Sequence, residues 1–170
     1  NHWIESEKID IGPYKKINVK KENFIRDVDR LIEEGYYGLN VTVPLKEDAY
    51  KYCDNTSDVA RALKAVNTLI VNKDGVYGDN TDPIGFEKSI ANRGLNNKLC
   101  LVLGAGGSAR AVVYALTHMK CEIGIYNRTR ENAELLCSDL GVEAIILTEK
   151  TISEFIGSSH LVVNTTSLGQ

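Results

Sequence analysis

The stretch that decides the fold is KLCLVLGAGGSAR, from Lys98 to Arg110. An apolar run, Leu99 to Leu103, ends abruptly in glycine, and a helix-forming stretch from Ser108 to Met119 follows it. This order predicts a strand, a tight glycine turn and a helix. The same order opens the dinucleotide-binding half of Rossmann-type α/β folds.

The glycine turn has the small residues that a dinucleotide site needs. In the spacing Gly104-x-Gly106-x-x-Ala109, the first glycine permits the turn, the second lets backbone approach a pyrophosphate, and the alanine lets the helix pack close to the strand. Free N–H groups at the helix start would face the phosphates. The predicted cofactor contacts here are Gly104, Ala105, Gly106, Gly107, Ser108 and Ala109. A glycine-rich connection without a ligand is the alternative.

A second strand, Cys121 to Tyr126, is predicted beyond the helix and ends in Asn127-Arg128-Thr129. That is roughly 20 residues past the last glycine, where dinucleotide folds place the residue that reads the ribose. An acid there would bind the 2′-hydroxyl of NAD, whereas a guanidinium suits the 2′-phosphate of NADP. Asn127, Arg128 and Thr129 are therefore predicted NADP contacts, and a solvated loop arginine is the alternative.

The rest of this part continues the alternation of helix and strand. A helix is predicted from Arg130 to Leu140, and short strands at Glu143 to Leu147 and Leu161 to Val163 have a helix between them. Thr166 then follows the carboxyl end of a strand, where open α/β sheets bind ligands. It is also predicted to contact the cofactor.

The N-terminal part begins with an amphipathic helix. Asn18 is expected to cap a helix that runs to about Glu34, with Gly35 as its stop. The expected apolar face comprises Phe24, Ile25, Val28, Leu31 and Ile32. This face would pack on the core of the N-terminal part.

The segment Gly38 to Val43, GLNVTV, alternates apolar and polar residues and predicts a strand. Its apolar residues Leu39, Val41 and Val43 would face the core, and Asn40 and Thr42 would share the other face. Pro44 then suits the first turn of a helix to about Tyr52. Lys46 stands in that turn, so it is expected to converge with the two polar residues.

A helix capped by Thr56 or Asn55 is expected to run through Leu63. The strand predicted next, Ala65 to Val71, contains Asn67, which needs hydrogen-bond partners if it is buried. Asp74-Gly75 indicates a hairpin turn. Asp82, directly before Pro83, would cap a helix that runs to about Asn92.

The composition indicates a folded protein that does not bind nucleic acid. The chain has 170 residues, of which 43% are hydrophobic and 25% charged, which suits one ordinary domain or two small ones. The net charge of −3 argues against a nucleic-acid surface, which needs clustered Lys and Arg. No apolar segment reaches the roughly 18 residues of a membrane span, so no membrane partner is expected.

Cysteine and histidine usage indicates a reducing compartment and no metal site. Cys53, Cys100, Cys121 and Cys137 show no Cys-x-x-Cys pairing, so neither a zinc site nor a disulfide framework is expected. The three histidines lack metal-ligand spacing. We therefore expect a cytoplasmic protein.

Two domains of the α/β class are predicted. Residues 1–92 would form a mixed α/β domain that binds the substrate and carries out the chemistry. Residues 97–170 would form the Rossmann-type dinucleotide-binding domain.

Lys46 and Asp82 are the candidate catalytic groups. Reduction of a ketone by a nicotinamide cofactor also needs a proton donor near the carbonyl oxygen. A Lys–carboxylate pair can deliver that proton and stabilise the developing alkoxide charge. Asn40, Thr42 and Asn67 are of the kind that binds substrate hydroxyls. Taken singly, Lys46 could be a surface lysine and Asp82 a helix cap.

Together, these motifs closely resemble those of the shikimate dehydrogenase family. The matching stretches are NVTVPLKE at 40–47, AVNT at 65–68, GDNTD at 78–82, GAGGSAR at 104–110, NRT at 127–129 and NTTSLG at 164–169. They occur in the family's order and span most of the chain. NVTVPLK and GDNTD are specific to this family and its close relatives, whereas the glycine turn alone is not.

The resemblance implies reversible, NADPH-dependent reduction of 3-dehydroshikimate to shikimate in the biosynthesis of chorismate and the aromatic amino acids. It implies that Lys46 and Asp82 are the catalytic pair. The residues implied to hold the ring hydroxyls of the substrate are Asn40, Thr42 and Asn67. Asp58 falls where the family often has an acidic residue near the nicotinamide. The expected partner is the small-molecule substrate, and the expected state is a monomer or homodimer.

The resemblance departs at the two ends. The family opens with a Ser-x-Ser-Pro-x-x-His-Asn motif whose serines bind the substrate carboxylate, and Asn1 corresponds to its last residue. The family also continues past Gln170, through further strands and helices. We therefore expect the chain to be a fragment of a longer enzyme that lacks this N-terminal motif and the C-terminal part.

Two other interpretations stay open. One is a quinate/shikimate dehydrogenase with relaxed cofactor use, which an acid in place of Arg128 would have favoured. The other is a non-catalytic nucleotide-binding relative. Such a protein would keep the glycine turn but would not need both Lys46 and Asp82.

Overall fold

The computed structural model describes residues 14–166. The helices are α1 (Phe24–Glu33), α2 (Lys46–Tyr52), α3 (Asp58–Leu63), α4 (Asp82–Ile90), α5 (Gly107–His118), α6 (Arg130–Leu140) and α7 (Ile152–Ser158). The strands are β1 (Gly38–Asn40), β2 (Asn55–Thr56), β3 (Thr68–Asn72), β4 (Gly75–Asp79), β5 (Leu99–Leu103), β6 (Glu122–Tyr126), β7 (Ile145–Ile146) and β8 (Leu161–Asn164). They form two four-stranded sheets. The α/β fold class is therefore confirmed.

The first sheet is mixed and has the strand order β1-β3-β4-β2. The β3–β4 hairpin closes at the pair Asn72–Gly75, and Gly75 has φ +115°. Positive φ at this position favours glycine, so the hairpin predicted from Asp74-Gly75 is confirmed. Strand β2 pairs with β4 in parallel, which adds a short edge strand that the sequence did not reveal.

Helix α1 covers the first sheet but begins later than predicted. A 3-10 turn, Lys21–Asn23, precedes it, so Asn18 is not its cap. Phe24, Val28 and Leu31 are buried at the spacing of one helix face. Ile25 is 64% exposed because it stands about 100° round the helix from Phe24. Its assignment to the apolar face was therefore wrong.

The predicted strand 38–43 is cut short at Asn40. The chain turns there, and the N–H of Leu45 donates to the Thr42 carbonyl at 2.9 Å. The Val43–Pro44 peptide bond is cis, and Val43 is 70% exposed rather than part of the core. Helix α2 consequently begins at Lys46, after this turn and not at Pro44.

Three further expectations about element ends in this part are corrected. Ser57 caps α3, since its Oγ accepts from the Ala60 N–H at 3.0 Å, while Asn55 and Thr56 form β2. Strand β3 begins at Thr68, so Asn67 precedes the strand. Thr81, not Asp82, occupies the N-cap position of α4, so the Asp82 side chain is left for other contacts.

The second sheet is parallel and has the strand order β7-β6-β5-β8. Strand β5 lies at the centre, with Cys100, Leu101 and Val102 fully buried. Helices α5 and α6 pack on the sheet, and Ala109 of α5 is 0% exposed, as close helix–strand packing requires. The Rossmann-type arrangement predicted from the glycine turn is confirmed. Among residues 14–166, no helix is long and apolar enough to cross a membrane.

Candidate active site

Lys46 and Asp82 are in direct contact. Lys46 is the first residue of α2 and Asp82 the first residue of α4, and the Lys46 Nζ lies 2.6 Å from Asp82 Oδ2. Their side chains are 23% and 36% exposed. The pair is therefore partly shielded from water but open to a ligand on one side.

Asn67 holds the second oxygen of the Asp82 carboxylate. Its Nδ2 donates to Asp82 Oδ1 at 2.8 Å and to Thr81 Oγ1 at 3.1 Å, and its Oδ1 accepts from the Thr81 N–H at 3.1 Å. Asn67 is 9% exposed, and these bonds supply the partners that a buried amide needs. Both oxygens of Asp82 thus have a donor.

Asn80 is a site residue that sequence reasoning missed. Its Oδ1 accepts from the Asp82 N–H at 3.0 Å, and its Nδ2 donates to the Ala65 carbonyl at 3.0 Å. It is 4% exposed. An Asn two residues before the functional acid is the usual pattern of an Asx-turn, and that pattern could have identified it in GDNTD.

Within the described residues, Asn40 is connected to the Lys46–Asp82 pair through Thr68 and Asn67. The Asn40 Nδ2 lies 3.5 Å from Thr68 Oγ1, which in turn donates to Asn67 Oδ1 at 2.9 Å. The Thr42 hydroxyl makes no hydrogen bond to any residue of the described range 14–166. Asn40 and Thr42 do line the same groove, of about 560 Å³, but Lys46 and Asp82 are not part of its lining. The expected convergence on Lys46 is therefore not seen as direct contact.

The glycine turn is tight on one side and open on the other. Gly104 has φ +108°. Thr165, the residue after β8, lies so close that a Cβ at Gly104 would be 2.5 Å from its Oγ1. Gly106, Gly107 and Ser108 are exposed, and α5 begins at Gly107. The first N–H groups of a helix have no intrahelical acceptor, so they are available to an anion at this surface.

The predicted ribose-binding residues lie at the end of β6. The Asn127 Nδ2 donates to the Thr129 carbonyl at 2.7 Å and shapes the loop. Arg128 is exposed, and its guanidinium has no hydrogen bond or ion pair with any residue between 14 and 166. An exposed cation at this edge of the sheet is suited to binding a phosphate group of a dinucleotide. The N–H groups at the start of α5 are suited to binding its pyrophosphate.

The remaining cofactor candidates have local partners. The N–H and Oγ1 of Thr166 donate to Asn164 Oδ1 at 3.0 and 2.7 Å, beside the glycine turn. Asp58 is 93% exposed and pairs with Arg61 at 2.7 Å, within α3. Ser167, Leu168 and Gly169 of the last motif, like Asn1, lie outside the described residues.

Burial raises the pKa of all four cysteine thiols. Burial raises the pKa of Cys53 to about 11 and that of Cys100 to about 12. Both thiols are therefore protonated near neutral pH and are poor nucleophiles. Within residues 14–166, no three His, Cys, Asp or Glu side chains are grouped as a metal site requires.

Comparison with known proteins gives matches along nearly the whole chain. The family model described as shikimate dehydrogenase substrate binding domain matches residues 1–69, and the model described as shikimate / quinate 5-dehydrogenase matches residues 87–169. Shikimate dehydrogenase (NADP(+)) of Acidiphilium cryptum is 39% identical over 98% of this chain and 60% of its own length. The chain thus spans about three fifths of the curated relatives it matches.

Solved structures agree with this match. Shikimate dehydrogenase from Aquifex aeolicus superposes with a TM-score of 0.89 at 33% identity, over 98% of this chain and 61% of that one. Shikimate 5-dehydrogenase from Thermus thermophilus, in complex with NADP(H) and shikimate, superposes with a TM-score of 0.83 at 32% identity, over 96% and 60% of the two chains.

Proposed function

This chain belongs to the shikimate dehydrogenase family, and on that basis we propose that the complete protein interconverts 3-dehydroshikimate and shikimate with NADP. The observation that carries the proposal is the Lys46–Asp82 contact of 2.6 Å. A proton donor paired with a carboxylate is what the reduction of a ketone needs beyond hydride.

Lys46 is the proposed acid and base of the reaction. When bound, NADPH supplies the hydride to the carbonyl carbon. The Lys46 ammonium donates a proton to the carbonyl oxygen, so that no bare alkoxide forms, and the amine takes that proton back in the reverse direction. Asp82 Oδ2 accepts a hydrogen bond from the ammonium and so orients it. The Asn67 amide donates to Asp82 Oδ1 and so prevents the carboxylate from rotating.

The proposed substrate contacts are Asn40, Thr42 and Asn67. The Thr42 hydroxyl is exposed and the Asn40 amide is at the groove, which supports a role in binding ring hydroxyls. Asn67 has both its amide nitrogen and its oxygen engaged within the chain. Its contacts therefore support a role in orienting Asp82 as well as any contact with substrate.

The proposed cofactor site comprises the glycine turn and the end of β6. The open N–H groups after Gly106 would hold the pyrophosphate and Arg128 the 2′-phosphate, which supports NADP over NAD. Gly104, Ala105, Gly107, Ser108, Ala109, Asn127, Thr129 and Thr166 complete the proposed set. Asp58 is proposed as a cofactor contact on the resemblance to the family alone, since its ion pair is with Arg61 and it does not contact the glycine turn.

The proposed organisation and location follow the same reasoning. Residues 1–92 would be the substrate and catalytic domain, and residues 97–170 the NADP domain. Four free cysteines support a reducing, cytoplasmic location. The reaction would serve chorismate biosynthesis in a monomer or homodimer.

A quinate/shikimate dehydrogenase is the second candidate, since one matching family model covers both substrates. Steady-state assays of the complete protein with shikimate and quinate, each with NADP and NAD, distinguish the two. We expect the highest kcat/KM for shikimate with NADP. Equal or higher kcat/KM for quinate with NAD would favour the second candidate. Tight NADP binding without turnover of either substrate would favour a non-catalytic relative.

A further inference from the structure

Arg110 directly follows the glycine turn in α5, but its guanidinium contacts other elements. Its Nε donates to the Leu63 carbonyl at 3.1 Å, and its Nη1 donates to Asp139 Oδ2 at 3.0 Å. Leu63 ends α3, where the carbonyl end of the helix dipole attracts a cation. The Arg110 side chain is only 16% exposed. Arg110 therefore joins the glycine-turn helix to α6 and to a helix that belongs with the first sheet.

Asp139 completes a second link between the same elements. Its Oδ1 accepts from Lys64 Nζ at 3.1 Å, while its Oδ2 accepts from Arg110. The hydrogen bonds from Lys64 and then Arg110 lower the pKa of Asp139, so the carboxylate is charged at neutral pH. Apolar packing of Leu63 and Ala111 lies beside this Arg110–Asp139–Lys64 cluster.

The segment that Arg110 holds leads directly to the catalytic pair. Four residues after Leu63, Asn67 donates to the Asp82 carboxylate at 2.8 Å. Between them, the Val66 N–H donates to the Lys46 carbonyl at 2.9 Å, and Val66 is 0% exposed. Leu63, Ala65, Val66 and Asn67 are buried, whereas Lys64 between them is exposed. A displacement at Leu63 would therefore be passed along a mostly buried backbone to the residues beside Lys46 and Asp82.

The guanidinium of Arg110 makes two hydrogen bonds and leaves one nitrogen without a partner among the described residues. Its Nη2 is buried without a hydrogen-bond partner among residues 14–166. A buried donor without a partner is unfavourable. The guanidinium donates to two acceptors on two different helices at once. A lysine ammonium, on its flexible side chain, is less suited to making both contacts.

We propose that Arg110 is a positioning residue, which sets the place of the Lys46–Asp82 pair relative to the glycine turn. This rests on the proposed function, in which the proton comes from the first sheet's side and the hydride from a cofactor at the second sheet. Both must meet at one carbonyl, and a misplacement of about 1 Å can cost on the order of 10²-fold in rate. The contacts of Arg110 are with the Leu63 carbonyl and the Asp139 carboxylate, not with Lys46 or Asp82, so its proposed role is indirect.

The test uses the complete protein with Arg110→Gln, and Arg110→Lys as a variant that keeps the charge beside Asp139. Arg26→Gln is the matched control, since Arg26 is 72% exposed and, among residues 14–166, forms its ion pair with the neighbouring Asp27 alone. The measurements are kcat and KM for shikimate, the Kd of NADPH by fluorescence, circular dichroism, and amide hydrogen exchange of residues 63–67.

For both Arg110 variants we expect kcat to fall about tenfold to hundredfold, with KM for shikimate and the Kd of NADPH within about threefold. Exchange of residues 63–67 should rise, and the control should match the unaltered protein. Unchanged kcat in a folded Arg110 variant would overturn the proposal. So would a loss of NADPH affinity that accounts for the whole effect, because Arg110 would then act on the cofactor.

Failure of the proposed function is a separate outcome. An unaltered protein that does not oxidise shikimate with NADP contradicts the function, whatever the variants do. The exchange measurement still decides whether Arg110 holds residues 63–67. If Arg110→Gln does not fold, Arg110→Lys alone decides between the outcomes.

Discussion

Lys46 and Asp82 are held in place before any substrate binds. The ammonium contacts one carboxylate oxygen at 2.6 Å, and the amide of Asn67 contacts the other at 2.8 Å. Asn80 fixes the backbone at Asp82. A catalytic group whose rotamer is locked by supporting hydrogen bonds loses little entropy when the substrate arrives.

Lys46→Ala should lower kcat by about 10²–10⁴-fold in the complete protein, because it removes the proton donor. NADPH binding and the fold should be unchanged, since the Lys46 side chain is partly exposed and packs no core. Steady-state kinetics with circular dichroism check this. Near-normal kcat in a folded variant would leave Lys46 as a surface lysine.

In the complete protein, Lys46→Ala combined with Asp82→Asn should lower kcat by a much smaller factor than the product of the factors for the two single variants. Asp82 acts by orienting the Lys46 ammonium, so once the ammonium is absent its orientation no longer matters. A double-mutant cycle on kcat measures the coupling. Multiplicative losses would mean that the two residues act independently.

Arg128→Ala should weaken NADPH binding by about ten- to a hundredfold, which corresponds to one lost charge-assisted hydrogen bond. NADH binding should change little, because NADH lacks the 2′-phosphate. Fluorescence titration with each cofactor checks this. Equal losses for the two cofactors would show that Arg128 does not contact the phosphate.

The turn between β5 and α5 depends on contacts to β8 as much as on its own sequence. Strands β5 and β8 are parallel neighbours, and Leu103 pairs with Asn164. The Thr165 Oγ1 donates to the Leu103 carbonyl at 2.7 Å, directly against Gly104. The strand ends therefore shape the backbone that presents the N–H groups of α5.

Gly104→Ala should lower the free energy of unfolding by about 1–3 kcal/mol, since φ is +108° and the new Cβ meets Thr165. Urea unfolding of the complete protein measures this. Gly157→Ala in α7 is the control, because nothing lies within 4 Å of a Cβ there. Stability equal to that of the control variant would contradict the strain at Gly104.

Asp139 of α6 makes two ion pairs: one with Lys64, which follows α3 and so links α6 to the N-terminal part, and one with Arg110 of the neighbouring helix α5. Hydrogen bonds from Lys64 and Arg110 lower the pKa of Asp139 in the folded state. The link therefore contributes to stability above the unfolded-state pKa of about 4, and this contribution is lost as pH falls through the lowered value.

Asp139→Asn should accordingly reduce the free energy of unfolding at neutral pH, and the difference from the unaltered protein should shrink as pH falls below about 4. Chemical denaturation across this pH range checks it. Glu134→Gln, on the same helix, serves as the control because it removes a carboxylate whose ion pair, within the described part of the chain, is with Arg130 alone. If the difference in the free energy of unfolding grew as pH fell, the Asp139 carboxylate would not be stabilised by the folded state, and the prediction would be wrong.

The sequence by itself determined the α/β class, the glycine turn and the candidate catalytic residues. These depend on short-range patterns: an apolar run before Gly104, small residues at fixed spacing, and Asp74-Gly75 at the hairpin. Strand β5 and helix α6 were predicted with their observed bounds. The roles of the site residues stay predictions.

Resemblance to the family had implied that Lys46 and Asp82 act as a pair, but only the tertiary structure decided the contacts themselves. Lys46 and Asp82 are 36 positions apart, and Arg110 and Leu63 are 47 apart. No local pattern encodes such distances, since they depend on how the helices pack on the two sheets. For the same reason, alternation carried the predicted strand on to Val43, although the backbone pairing of this segment ends with the Val41 N–H, which donates to the Asn67 carbonyl at 2.8 Å. The turn from Thr42 to Leu45 ends the strand, and the alternation of residues does not reveal that turn.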